Sequence, residues 1–326
     1  ILSTYALSLI LNRTFIIRMT HPCEITNLVV PNKYDWNRLR NLRAPKEPWL
    51  NLQHNYKLMT RYESIDLFYH LRHMNKAKII NVRTGIMFMN SFSKNPHLRP
   101  RLKELGFTNQ NDFQMHYQMY KWYDHLFRLP PKLDQRYREM LSKGKPNEKT
   151  FLICAQVRIG LRTANNVREY QFMERSYSQK FWNFIDTTFI ANMHNLTDQK
   201  DNYRVFVTTD LDEVKTEAAE HFGQEFVVYN KNPTIHFDMD TGMKNTHECQ
   251  NIDDIVLEFH FQKHCDAAIV SHSGFGLLGA WNRPDPKKNL YVYTQLNQSD
   301  LKRDYWTRKN KGFLKINDLD NDLYFL

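Results

Sequence analysis

The sequence predicts an α/β fold built on a parallel sheet, and three observations carry that expectation. From residue 151 onward, short apolar runs alternate with stretches of helical length and periodicity. Two of those runs, 151–158 and 267–270, are apolar almost throughout, as strands buried on both faces of a parallel sheet are. The second leads into Ser271-His272-Ser273-Gly274-Phe275-Gly276, and residues 274–279 hold three of the chain's ten glycines, the mark of a tight turn opening a helix.

In chain order, the pattern gives a helix at 3–11, a strand at 14–18, a strand at 77–82, and helices at 111–127 and 133–143. The stretch 20–61, rich in Pro, Asn and Trp, has no periodicity to assign. A polar connector, Gly144-Lys145-Pro146-Asn147-Glu148-Lys149, divides the chain. Beyond it, strands are expected at 151–158, 204–208, 225–229, 267–270 and 290–293. Helices are expected at 179–193, 211–222, 253–265 and 274–281, and such alternation implies right-handed crossovers.

A chain of 326 residues with 41% hydrophobic content is long enough for two cores. A net charge of +10 implies attraction to anions, but no Lys/Arg block with interleaved aromatics marks a nucleic-acid module. The aromatic stripe from Tyr117 to Phe127 reads as helix core. No segment approaches the roughly 20 apolar residues that cross a bilayer. The chain starts at Ile1, as a trimmed ectodomain does, so a signal anchor is expected upstream. Sequons at Asn12, Asn195 and Asn297 point to the secretory pathway, although the apolar flank of Asn12 argues against a glycan there. Four cysteines make no disulfide scaffold: Cys154 in a core strand reads as a free thiol, and one bridge is open among Cys23, Cys249 and Cys265.

The turn at 271–276 exposes N–H groups at a helix N-terminus, where the dipole also favours an anion. Arg158 ends the 151–158 strand, and ligands of open α/β sheets bind outside the carboxyl ends of strands. Both features therefore converge on one edge of one sheet as a phosphate site.

Three segments together, Gln156-Val157-Arg158, Phe206-Val207-Thr208-Thr209-Asp210 and Cys265 to Gly276, resemble the fucosyltransferase superfamily of α1,2-, α1,6- and protein O-fucosyltransferases. The opening 7–17 is similar to that family's first helix and strand. The resemblance implies a GT-B fold, two Rossmann-like domains facing each other across a cleft, with residues 1–148 on the acceptor side and 149–326 binding the nucleotide sugar. It implies inverting transfer of fucose from GDP-fucose to a hydroxyl of a glycan or glycoprotein, without a metal or other cofactor, in the Golgi or endoplasmic reticulum lumen, by a type II membrane protein. By that resemblance Arg158 is the catalytic arginine that clamps the β-phosphate, and its planar fork suits that role. Ser271, Ser273, Gly274, Phe275 and Gly276 form the diphosphate turn, and Asp210 lies close to the guanosine. Gln156 stands where many relatives have histidine and Ile159 where they have a second arginine; the plant cell-wall type, with Gln-x-Arg, is the more similar form.

Plainer readings exist for the same residues. Asp210 with Glu213 fits a capping box; Ser273 fits an N-cap; the glycines fit close helix packing; His272 and Glu258 fit solvated positions. Asp238-Met239-Asp240 has the Asp-x-Asp form of a manganese-holding glycosyltransferase loop, a competing metal-dependent reading. His21, Asp35, Glu47, His54 and Glu63 are eligible general bases, Arg162 a further phosphate or acceptor contact, and a glycan-binding pseudoenzyme remains an alternative class.

Overall fold

The computed structural model describes residues 1–20, 23–52, 61–74, 76–84, 87–160, 175–194, 202–232, 248–271, 273–293 and 312–316. These form two compact units, one of residues 1–20 and 29–128, the other of 21–28 and 129–326.

The first unit opens with the helix Leu2–Ile10, whose buried face includes Leu2, Tyr5, Ala6, Leu7 and Ile10. It ends in a Schellman turn: Arg13 N–H donates to Ser8 O (2.8 Å) and Asn12 N–H to Leu9 O (3.2 Å), with Asn12 left-handed at φ 51°. The Asn12 side chain is exposed, contrary to the expectation from its apolar flank. Residues 14–18 bury Phe15 and Ile17 but form no strand. The reason is that the Phe15 backbone finds its partner in a side chain: its N–H donates to the Tyr34 hydroxyl (2.8 Å), which donates back to Phe15 O (3.0 Å).

Among the described residues of this unit, two small sheets form. In one, β1 (Val30–Pro31) pairs antiparallel with β4 (Phe127–Arg128); in the other, β2 (Trp49–Asn51) pairs parallel with β3 (Asn81–Arg83). The helix Met115–Leu126 turns Trp122 inward, edge-on to Tyr5 at 5.3 Å, and leaves Tyr117 exposed. The aromatic stripe is thus core on one side only.

The second unit holds the predicted parallel sheet. Its strands are β5 (Phe151–Val157), β6 (Tyr203–Thr209), β7 (Val227–Val228), β8 (Ala267–Ser271), β9 (Leu290–Tyr293) and β10 (Phe313–Lys315), ordered β10-β9-β8-β5-β6-β7. All neighbours are parallel except the β10–β9 edge. The period-two geometry of the strands explains both apolar runs. Ile153, Ala155, Val157, Val205 and Val207 pack with Phe181, Trp182 and Ile185 of the helix Ser178–Ile185 and Val214 and Ala218 of the helix Asp212–Phe222. The alternate residues Leu152, Cys154 and Phe206 meet Leu133 and Tyr137 of the helix Pro131–Gly144 and Leu257 and Phe261 of the helix Glu248–Phe261. The Pro131–Gly144 helix therefore covers this sheet.

One cysteine expectation is overturned. Cys154 is not a free thiol; it is disulfide-bonded to Cys265, while Cys23 is buried. The two partners are 111 residues apart, but β5 pairs with β8 in a register that sets Ile153 opposite Ala267, which draws their Cα atoms to 5.7 Å. Closing so long a loop removes denatured-state entropy, so the Cys154→Ala/Cys265→Ala variant is expected to lose about 2–5 kcal/mol of stability in equilibrium denaturant unfolding.

Candidate functional site

The site lies where the strand order reverses. In chain order the sheet starts at β5, adds β6 and β7 on one side, then returns to add β8 and β9 on the other, which makes the β5/β8 boundary the switch point of a doubly wound sheet. Ligands of doubly wound sheets bind outside the carboxyl ends of the strands at such a boundary. Arg158 and the Ser271–Gly276 turn both stand at that boundary.

The ladder between β5 and β8 ends at Gln156 opposite Val270, and the Ser271 hydroxyl continues it. Its Oγ donates to Gln156 O (3.1 Å) and accepts from the Arg158 N–H (2.8 Å), tying the residue after β5 to the end of β8. Asp210, just beyond β6, completes the hold. Oδ1 accepts from Ile159 N–H and Oδ2 from Gly160 N–H, both at 2.8 Å, and Oδ2 also meets Arg158 Nε at 3.2 Å. The turn passes through Gly160 at φ 80°, a conformation that costs a residue with a Cβ. Asp210 is buried, while the Arg158 side chain keeps 27% of its surface. A carboxylate on Nε orients the guanidinium.

The capping-box reading of Asp210 is therefore wrong: Leu211 is the N-cap of the Asp212–Phe222 helix, with no side-chain cap, and the Asp210 carboxylate reaches back over β5 instead. Ser273 does cap its helix, Gly274–Trp281, accepting from Gly276 N–H (3.3 Å) while donating to the buried Gln156 Oε1 (3.0 Å). The Gly274 and Phe275 N–H groups lie in the first turn, where no intrahelical carbonyl is available. Gly276 is required by a close approach: a Cβ there would lie 2.3 Å from Gln156 Oε1 and 3.1 Å from Val270 Cβ. Gln156 thus packs under the turn, its carbonyl end used by Ser273. Phe275 is half-buried, its ring 5.9 Å from that of Phe259. His272 lies outside the described residues, as do Asp238, Asp240, Arg162, His21 and His54.

Glu258 overturns a second expectation. It is buried, not solvated, and its Oε2 accepts from the Thr208 hydroxyl at 2.5 Å on β6, two residues before Asp210. Burial raises its pKa to about 7, against the opposing pull of the Thr208 hydrogen bond and the charge of Lys215. Sequence reasoning missed it because the helix surrounding it has a weak amphipathic pattern; what could have found it is its place next to Leu257 and one turn before Phe261, on a helix with apolar residues on most sides.

The eligible bases that the structure describes are all engaged. Asp35 accepts from Asn37 and Arg38 N–H, and Glu63 pairs with Lys94 at 3.1 Å. Glu47 is held below the usual carboxylate range by the Asn81 amide and the Ala44 N–H, with Arg18 at 3.0 Å. Among the described residues no cluster of three metal-ligating side chains occurs.

No family model matches the sequence, and no curated protein matches it. Solved structures do. Arabidopsis thaliana FUT1, solved as a mutant in complex with GDP, matches with a TM-score of 0.58 at 12% identity, over 91% of this chain and 67% of that one. The α-1,6-fucosyltransferase NodZ soaked with GDP-fucose matches with a TM-score of 0.43 at 13% identity, over 89% and 88%. NodZ from Bradyrhizobium gives 0.42 at 11%, over 89% and 87%. The chain has a fucosyltransferase-like fold. Within the fucosyltransferase-like fold the β5/β8 switch point is formed by this chain's own Arg158, Asp210, Ser271 and Ser273, as described above.

The raised pKa of Glu258 has a stability consequence. Its folded value of about 7 lies above the ordinary 4.5, so the folded state holds the proton more tightly and stability from this group falls as pH rises between those values. Glu258→Gln keeps an acceptor for Thr208 and removes the buried charge. It is expected to be more stable than the parent by about 1–3 kcal/mol near pH 8, with the difference vanishing at about pH 4, read from denaturant unfolding at each pH.

Proposed function

We propose that the protein is an inverting glycosyltransferase that moves fucose from GDP-fucose to a hydroxyl of a glycan or glycoprotein. The observation that carries the reading is the Arg158 guanidinium, oriented by Asp210 and tied through its N–H to Ser271, beside a helix N-terminus at the sheet's switch point. In the reaction the acceptor oxygen forms a bond to fucose C1 as the bond from C1 to the β-phosphate oxygen breaks. The electron pair leaves with GDP, and the acceptor proton passes to a base or to the departing phosphate. Arg158 meets the charge that grows on that phosphate, and the Gly274 and Phe275 N–H groups and helix dipole add to it. This positive charge comes from the protein itself, which supports transfer without a metal.

Glu258 is assigned to the nucleoside. A buried carboxylate near the carboxyl edge of β6 can accept the N1–H and exocyclic N–H of guanine, an arrangement that adenine and pyrimidines do not satisfy. Gln156 acts beneath the turn, by holding Ser273, and Asp210 by aiming Arg158. The wider assignment is a GT-B arrangement, with the unit of residues 1–20 and 29–128 binding the acceptor and the unit of 21–28 and 129–326 binding the donor. Localisation in the Golgi or endoplasmic reticulum lumen as a type II membrane protein belongs to the same proposal. Its support is the buried Cys154–Cys265 disulfide, which suits an oxidising compartment, and the exposed sequon at Asn12. No helix among the described residues is long and apolar enough to cross a membrane.

The test is GDP release from GDP-fucose in the presence of a glycan acceptor panel, with EDTA. Arg158→Ala is expected to lower turnover by about 30- to 1,000-fold, equivalent to about 2–4 kcal/mol of transition-state stabilisation. Unchanged turnover in that variant contradicts the assignment.

A further inference from the structure

The first unit carries a second constellation with the chemistry of a ligand site. Strands β2 and β3 run parallel in a register that pairs Trp49 with Asn81 and Asn51 with Arg83. Register partners in a parallel pair share a face, and residues two apart along a strand share it as well. One face of this two-stranded sheet therefore displays Trp49, Asn51, Asn81 and Arg83, while Leu50 and Val82 take the other. Trp49 is 64% exposed, and Asn51 and Arg83 are exposed too.

The indole has a built polar neighbour. Asn81, its partner in the register, donates through Nδ2 to Glu47 Oε2 at 3.1 Å, and the same oxygen receives Arg18 Nη1 at 3.0 Å. Ala44 N–H holds the other carboxylate oxygen at 2.9 Å. Glu47 and Arg18 are each mostly buried, with side-chain exposures of 18% and 23%. The cluster thus stands in fixed geometry beside an aromatic plane that is left in water. Trp49 is the most exposed of the large hydrophobic side chains among the described residues, and an indole presents a flat apolar face with a polar N–H handle. On this face the indole's neighbours are amides, the Arg83 guanidinium and a carboxylate whose charge is met by Arg18.

That chemistry fits one ligand class. A pyranose ring has a C–H face that stacks on an indole and an equatorial belt of hydroxyls, each both donor and acceptor. Amide and carboxylate oxygens accept from such hydroxyls, and amide and guanidinium N–H groups donate to them. We propose that the exposed β2–β3 face binds a pyranose of a neutral glycan, with Trp49 as the stacking platform and Asn81, Glu47 and Arg83 as hydroxyl partners, and that it is an acceptor subsite. Its role as an acceptor subsite rests on the glycosyl-transfer reading; sugar binding itself does not.

Saturation-transfer NMR with lactose, cellobiose and N,N′-diacetylchitobiose tests the proposal on the whole chain, alongside calorimetric GDP binding. At least one probe is expected to receive saturation from the parent protein. Trp49→Ala is expected to reduce that signal at least fivefold, Trp49→Phe to restore part of it, and GDP affinity to stay unchanged in both. Sugar signals that Trp49→Ala leaves intact, or three probes that give no signal, overturn the proposal. Loss of the transfer reading has a different signature, a parent chain that fails to bind GDP while the Trp49-dependent sugar signal persists.

Discussion

The site depends on a single carboxylate. Asp210 takes two backbone N–H groups from the turn after β5 and the Nε of Arg158, so one side chain fixes both the path of the chain and the direction of the guanidinium. Because Asp210 is buried, its charge is tolerated only in that company; a buried carboxylate stripped of its donors costs several kcal/mol. The constraint also works in reverse. The turn must pass through Gly160 at φ 80° for both N–H groups to point at one carboxylate.

Sheet topology turns that local clasp into a site. β5 lies between β6, which Asp210 directly follows, and β8, which ends in Ser271, so the residues after β5 are held from both sides. The turn after β8 is held in turn by Gln156 through Ser273, and Gly276 lets the helix approach that amide. Backbone N–H groups at a helix start and an oriented guanidinium then share one sheet edge. They are preorganised before any ligand arrives, which is the condition under which such groups stabilise developing charge.

Much of this was legible in the sequence because it is local. Apolar runs located β5, β6, β8 and β9, and the glycines at 274 and 276 marked the helix start after β8. What escaped is what depends on pairing across long separations. Cys154 and Cys265 come together only through the β5–β8 register, 111 residues apart. Asp210 sits in front of a helix, so a cap was the natural reading, and only the β5–β6 pairing shows its carboxylate facing 159 and 160. Glu258 looks solvated until its helix is laid on the sheet beside Thr208. Trp49 lies in the stretch without periodicity, where β2 is three residues long and too short to leave a pattern.

The central claim is that the switch-point edge of the second unit holds a guanosine diphosphate. Calorimetric titration of GDP, ADP, UDP and CMP into the purified chain, in EDTA and then with manganese, tests it most directly. The account predicts saturable, metal-independent binding of GDP that is at least tenfold tighter than that of the other three. Binding of UDP that requires manganese, or no nucleotide binding at all, contradicts it.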